Sequence, residues 1–343
     1  MRETTVAQAR EIALHWIHEV AGKEPGVVGA AFTGSINWRE PGDTFPVSSD
    51  IDISLVFEEG TELRRFGLFN HKGLIFEVGA NPISRFDDID ALLADYRRSP
   101  NLWKGGVVLD RTGRLTEVQN RIQAEFTQPR WVERRIEDAV SNSLAYVDRM
   151  SESAPLELQA LDWAFAEGVM CHVLLTGGLR NPTVRRRYSE SKHLMESVGK
   201  PEVHEQLLEM FGCADMSVER VRYHFDRMTE VFDLTKSISG TPFPNERDIA
   251  EVARPLAVNG TDEQIRAGEH RESVYWIVVT LGRCLAMLRH VESEHIENAE
   301  SALRNVLADV GISTWRDFES QGRAVRNHLD ELRSIALEMS DNR

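Results

Sequence analysis

A change of hydrophobic period near residue 114 constrains this chain more than any other feature. Before it, short apolar runs of strand length alternate with turn-forming clusters. After it, apolar residues recur every three to four positions almost without interruption. A chain patterned this way cannot close a single uniform core. It predicts an α+β fold, in which a small mixed-sheet domain is followed by an all-α helical bundle. With 343 residues there is enough chain for both. Gln128-Pro129 interrupts the pattern, which places the domains at residues 1–128 and 129–343.

Within the first part, Ala7, Ile12, Ala13, Trp16, Ile17 and Val20 lie at helical spacing and end at the Gly22 to Gly26 punctuation, so residues 5–22 predict a helix. Val27 to Thr33 is a short apolar strand stopped by Gly34-Ser35. After a loop containing proline and glycine, Asp50 to Phe57 alternates strictly between polar and apolar residues, as a second strand of the same sheet does. RRFGLF and GLIFEVGA flank Asn70-His71-Lys72-Gly73 and predict a β-hairpin. Residues 86–98 read as helix and 105–110 as a strand closed by Arg111-Thr112-Gly113. Beyond that, helices are expected near 114–127, 130–150, 155–176, 183–197, 201–211, 217–237, 246–257, 271–293, 296–310 and 317–339.

The chemistry concentrates in the sheet. Alternation puts Asp50, Asp52 and Ser54 on one face of their strand and Ile51, Ile53 and Leu55 on the other. Two ionised carboxylates so close repel each other unless a cation lies between them, and an all-oxygen donor set suits Mg²⁺. Glu77 stands alone among Leu74, Ile75, Phe76 and Val78, where an isolated charge is costly. If its strand pairs beside Asp50 to Phe57, Glu77 joins the cluster as ligand of a second metal, as general base for an acceptor hydroxyl, or as both. Gly34 lets a phosphate approach the backbone, and Ser35 adds a hydroxyl and exposed N–H groups.

Gly34-Ser35, a loop, the Asp50-x-Asp52 strand and a third carboxylate on a later strand together resemble the DNA polymerase beta nucleotidyltransferase superfamily. The resemblance covers residues 27–80 and extends loosely to about 115, through the Asp110 to Gly113 turn. Its 14-residue loop, 36–49, is longer than usual, with Glu40-Pro41-Gly42-Asp43 inserted. A small α/β domain followed by helices is similar to the antibiotic-modifying aminoglycoside and lincosamide enzymes. The resemblance implies that Asp50 and Asp52 hold Mg²⁺, as one or two ions, that Glu77 activates the acceptor, and that Ser35 and Ser49 contact phosphates of ATP or another nucleoside triphosphate. It also implies a role in antibiotic resistance.

Elsewhere, positive charge gathers in GLRNPTVRRRYSESKH, where helical spacing brings Lys192 onto the face of Tyr188 and Arg185; Arg187 and Lys192 are the candidates for phosphate. The net charge of −15 repels polyanions, counts against a nucleic-acid partner and suits a small cationic acceptor. Protein or RNA as acceptor, and a catalytically silent antitoxin-like nucleotide binder, are the competing readings. Three scattered cysteines without CxxC spacing, no apolar run of membrane-spanning length and no signal-type N-terminus point to a reducing cytoplasm.

Overall fold

The computed structural model describes residues 4–243 and 246–341. It is an α+β protein, with a mixed sheet between residues 27 and 110 and helices from 114 to 341. The chain divides into two compact units within one helix, after Arg135, and Leu179–Asn181 belong to the first unit.

The first unit begins with α1 (Val6–Glu19). A capping box starts it: the Thr5 side chain accepts from Gln8 N–H, and the Gln8 side chain accepts from Thr5 N–H. The strands are β1 (Val27–Thr33), β2 (Asp50–Phe57), β3 (Gly67–His71), β4 (Leu74–Pro82) and β5 (Val107–Asp110), in the order β3-β4-β2-β1-β5. β2 and β4 run parallel, and every other pair is antiparallel. The expected hairpin is β3–β4, closed where Asn70 Oδ1 accepts from Gly73 N–H at 3.1 Å.

Each face of the sheet has its own core. Phe32, Ile51, Ile53, Leu55, Phe57, Phe76 and Val78 pack against Ala9, Ala13, Trp16 and Ile17 of α1. Each large apolar side chain buried there contributes about 1.5–3 kcal/mol. The opposite face meets α2 (Ile89–Ala94), α3 (Ser99–Trp103) and α4 (Arg114–Glu125) through Val56, Leu92, Leu93, Leu102, Leu115 and Val118. α4 sits so close to β1 that a Cβ on Gly29 would lie 2.3 Å from Leu115 Cδ1. These helices cover the C-terminal part of β2 through Val56, on the same strand face as Asp50 and Asp52.

α5 (Pro129–Arg149) leads into the second unit, which contains α6 (Leu156–Gly177), α7 (Arg187–Ser197), α8 (Pro201–Phe211), α9 (Val218–Thr235), α10 (Gly260–Arg266), α11 (His270–His290), α12 (Ile296–Asp309) and α13 (Trp315–Asp341). α6 from Trp163 onward and α11 from Glu272 to Leu288 are buried on almost every side, so they are the central helices. No helix among the described residues is long and apolar enough to cross a membrane. All three cysteines are buried free thiols.

Two segments expected as single helices are broken. Between 86 and 98, Asp88 caps α2 by accepting from Ala91 N–H, while Asp95 Oδ1 accepts from Arg97 and Arg98 N–H and turns the chain out of the helix. Between 246 and 257 the chain makes separate short turns at Glu246–Ile249, Glu251–Ala253 and Pro255–Asn259. Pro255 has no N–H to give a continuous helix. Asp248 is drawn to Arg283 at 3.0 Å and Arg254 to Asp233 at 2.8 Å.

Candidate metal centre

β2 carries out the alternation its sequence promises: Ile51, Ile53 and Leu55 are buried, while Asp50, Asp52 and Ser54 are half-buried on the other face. In the parallel register of β2 and β4, Asp52 lies directly opposite Glu77, and on its other side Asp52 faces Thr33 of β1. One carboxylate oxygen from each of Asp50, Asp52 and Glu77 therefore lies within 4.8 Å of the other two. At that separation each ionised pair repels by roughly 3 kcal/mol at an effective dielectric of about 20. Three oxygen donors without nitrogen or sulfur match a hard divalent cation, which cancels that repulsion. Among the described residues, this acidic triad is the group that could hold a metal ion.

The turn leaving β1 is shaped around the same carboxylates. Gly34 opens a 3-10 helix, Gly34–Trp38, at φ +64°, a left-handed conformation that favours glycine. A Cβ there would lie 1.8 Å from Asp52 Oδ2, so any larger residue would drive the Asp52 carboxylate out of place. Gly34 N–H donates to Asn101 Oδ1 at 2.9 Å. The Ser35 and Ser49 hydroxyls lie 3.2 Å apart and tie the turn to the residue before Asp50. Behind it, buried Asn37 donates to Phe32 O at 2.8 Å, and Arg10 donates to Ile36 O at 2.8 Å and to Asn37 Oδ1 at 3.3 Å. The long loop is strapped to the start of α1: Val6 N–H donates to Asp43 O and Ala7 N–H to Pro41 O, both at 2.9 Å.

No protein-family model matches this chain, and no curated protein matches it. The site therefore stands on its own geometry.

That geometry brings together Asp50, Asp52 and Glu77, with Gly34 against Asp52 and Ser35 against Ser49. Arg187 and Lys192 lie in the helical unit, in contact with residues of that unit. Arg187 is buried, donates from Nε to Val184 O at 2.7 Å and lies 4.6 Å over the Tyr275 ring. Lys192 Nζ is 3.3 Å from Glu272 Oε1. One residue that sequence reasoning missed is Asn101. Its partner Gly34 is 67 positions away, and nothing local in Ser99-Pro100-Asn101 marks it.

Proposed function

We propose that this chain is a Mg²⁺-dependent nucleotidyltransferase that moves a nucleoside monophosphate, AMP from ATP or its equivalent from another nucleoside triphosphate, onto a hydroxyl of a small cationic acceptor of the aminoglycoside kind. The observation that carries this reading is the convergence of Asp50, Asp52 and Glu77 beside a glycine-serine turn. An all-oxygen triad of this spacing fits Mg²⁺, which when bound neutralises charge on phosphoryl oxygens and lowers the barrier to in-line displacement. Asp50 and Asp52 hold that charge in place from a rigid strand. In the turn whose Gly34 N–H is held by Asn101, Ser35 supplies a hydroxyl donor to phosphate oxygens. Glu77 takes the acceptor hydroxyl proton onto a carboxylate oxygen as the acceptor O–Pα bond forms, the bond from Pα to the bridging oxygen breaks, and pyrophosphate leaves. A net charge of −15 favours a cationic acceptor over a polyanionic one.

The test is pyrophosphate release from each nucleoside triphosphate with Mg²⁺, across a panel of aminoglycosides, lincosamides and other polyhydroxylated amines. Asp50→Asn and Glu77→Gln serve as controls. The expected result is release that depends on one acceptor class and disappears in both variants. Turnover unchanged in the variants, or nucleotide binding with no release for any acceptor, would overturn the assignment.

A further inference from the structure

A second feature adjoins the glycine-serine turn. Trp38, the last residue of the 3-10 helix that Gly34 opens, packs edge-to-face on Trp103 with ring centroids 5.9 Å apart. Trp103 is backed by Phe126, stacked at 4.3 Å with the planes 10° apart. The Lys104 ammonium sits in the corner between the two indoles, 4.6 Å from the Trp38 ring and 4.4 Å from the Trp103 ring. Lys104 is exposed, and among the described residues no carboxylate pairs with it, although acids outnumber bases 55 to 40 in the chain. Two indole faces orient the ammonium without cancelling its charge, as a carboxylate would.

Two local spacings tie this corner to the glycine-serine turn. Ser35 and Trp38 are three apart in a 3-10 helix, where such side chains eclipse. Asn101, which accepts from Gly34 N–H, is three residues before Lys104 at the end of α3. Along the chain, the aromatic corner thus follows directly on the turn that carries the Ser35 hydroxyl and the Asn101 contact.

We infer that Lys104, held by Trp38 and Trp103, is an anion-binding arm of the metal centre that takes the outer phosphates of a nucleoside triphosphate. The inference rests on the proposed nucleotidyltransferase reading. Lys104 supplies a positive charge from within the sheet domain, and it would hold the pyrophosphate end as the leaving group separates.

The experiment is isothermal titration of the full chain, with Mg²⁺, against a non-hydrolysable α,β-imido nucleoside triphosphate and against the corresponding monophosphate. Wild type, Lys104→Met and Trp38→Phe are compared. Methionine keeps the packing of the lysine stem on the indoles, so loss of fold is avoided, and circular dichroism checks this. Lys104→Met should weaken triphosphate binding about tenfold, as expected for loss of a charge-assisted contact, and leave monophosphate binding unchanged. Trp38→Phe should give a smaller loss of the same kind. If wild type binds the triphosphate and Lys104→Met binds it equally well, the arm is overturned and the metal-centre reading stands. If wild type binds no Mg²⁺-nucleotide at all, both fall.

Discussion

The acidic triad of the sheet unit is arranged differently from the acid–base pairs of the helical unit. In the sheet unit, Asp50, Asp52 and Glu77 bring carboxylate oxygens within 4.8 Å of one another. In the helical unit, acids gather bases: Glu272 Oε1 is 3.1 Å from His204 Nε2 and 3.3 Å from Lys192 Nζ, Glu205 is 2.7 Å from Arg271, and Glu157 is 3.0 Å from Arg289. Pairing acid with base is what stability selects, because a buried charge without a counter-charge is expensive. Crowding acid against acid lowers stability, and a fold keeps such an arrangement when a bound cation or a reaction repays it. The acidic triad that could hold a metal ion thus lies in the sheet unit, while these acids of the helical unit are paired with bases. Glu167 is the exception. It is fully buried in α6 with no base beside it among the described residues, and burial, opposed only by the Trp163 indole N–H, pushes its carboxyl up to about 8.

Four outcomes would sharpen or break this contrast. Asp52→Asn should reduce pyrophosphate release on the order of a thousandfold or more. Added Mg²⁺ should raise the melting temperature of wild type more than that of Asp52→Asn, because the variant has lost one ligand. An equal rise in both would make the triad a structural cluster.

Glu167→Gln acts on the exception. In the folded chain Glu167 keeps its proton, whereas an unfolded glutamate loses it above about 4.5. The folded state therefore holds the extra proton, and stability declines as pH rises from about 4.5 to about 8. Urea unfolding across that window should show Glu167→Gln gaining on wild type by on the order of 4 kcal/mol at the alkaline end. Parallel curves for the two proteins would remove Glu167 from the contrast.

Glu272 tests the paired acids. Burial alone would raise its carboxyl, but hydrogen bonds from His204 and its own backbone N–H, together with the Lys192 charge, hold it down at about 2. Its contribution is complete above about 4.5 and is lost as pH falls toward 2. Glu272→Ala should cost roughly 3 kcal/mol at neutral pH, read by chemical denaturation, and much less in acid. Equal loss at pH 7 and pH 3 would contradict the pairing. The smallest effect belongs to Ser35→Ala, which should raise the KM for nucleotide by about tenfold with kcat nearly unchanged. An unchanged KM would detach the turn from phosphate binding.

Much of this was legible in the sequence, for reasons that differ by element. The β2 alternation and the β3–β4 turn are local signals, and both appear as expected. Placement of Glu77 opposite Asp52 is not local. It depends on β4 inserting parallel to β2 while β3 takes the edge, and a hairpin motif does not specify which of its strands pairs inward. The helical part was legible because most helices keep one apolar face, and it failed at 246–257. There Ile249, Ala253 and Ala257 are buried at a spacing of four along a chain whose backbone is broken by Pro255. Asn101, Trp38 and Lys104 escaped notice because their contacts join segments more than 60 residues apart.

In the proposed function, Asp50, Asp52 and Glu77 bind a divalent cation together. The most direct test is an anomalous difference map from crystals grown with Mn²⁺ and a non-hydrolysable nucleoside triphosphate. The expected result is a peak within roughly 2.0–2.4 Å of oxygens from all three carboxylates, which disappears in Asp50→Asn crystals. A map with nucleotide bound but no metal at the triad, or with metal held only by residues elsewhere, would contradict it.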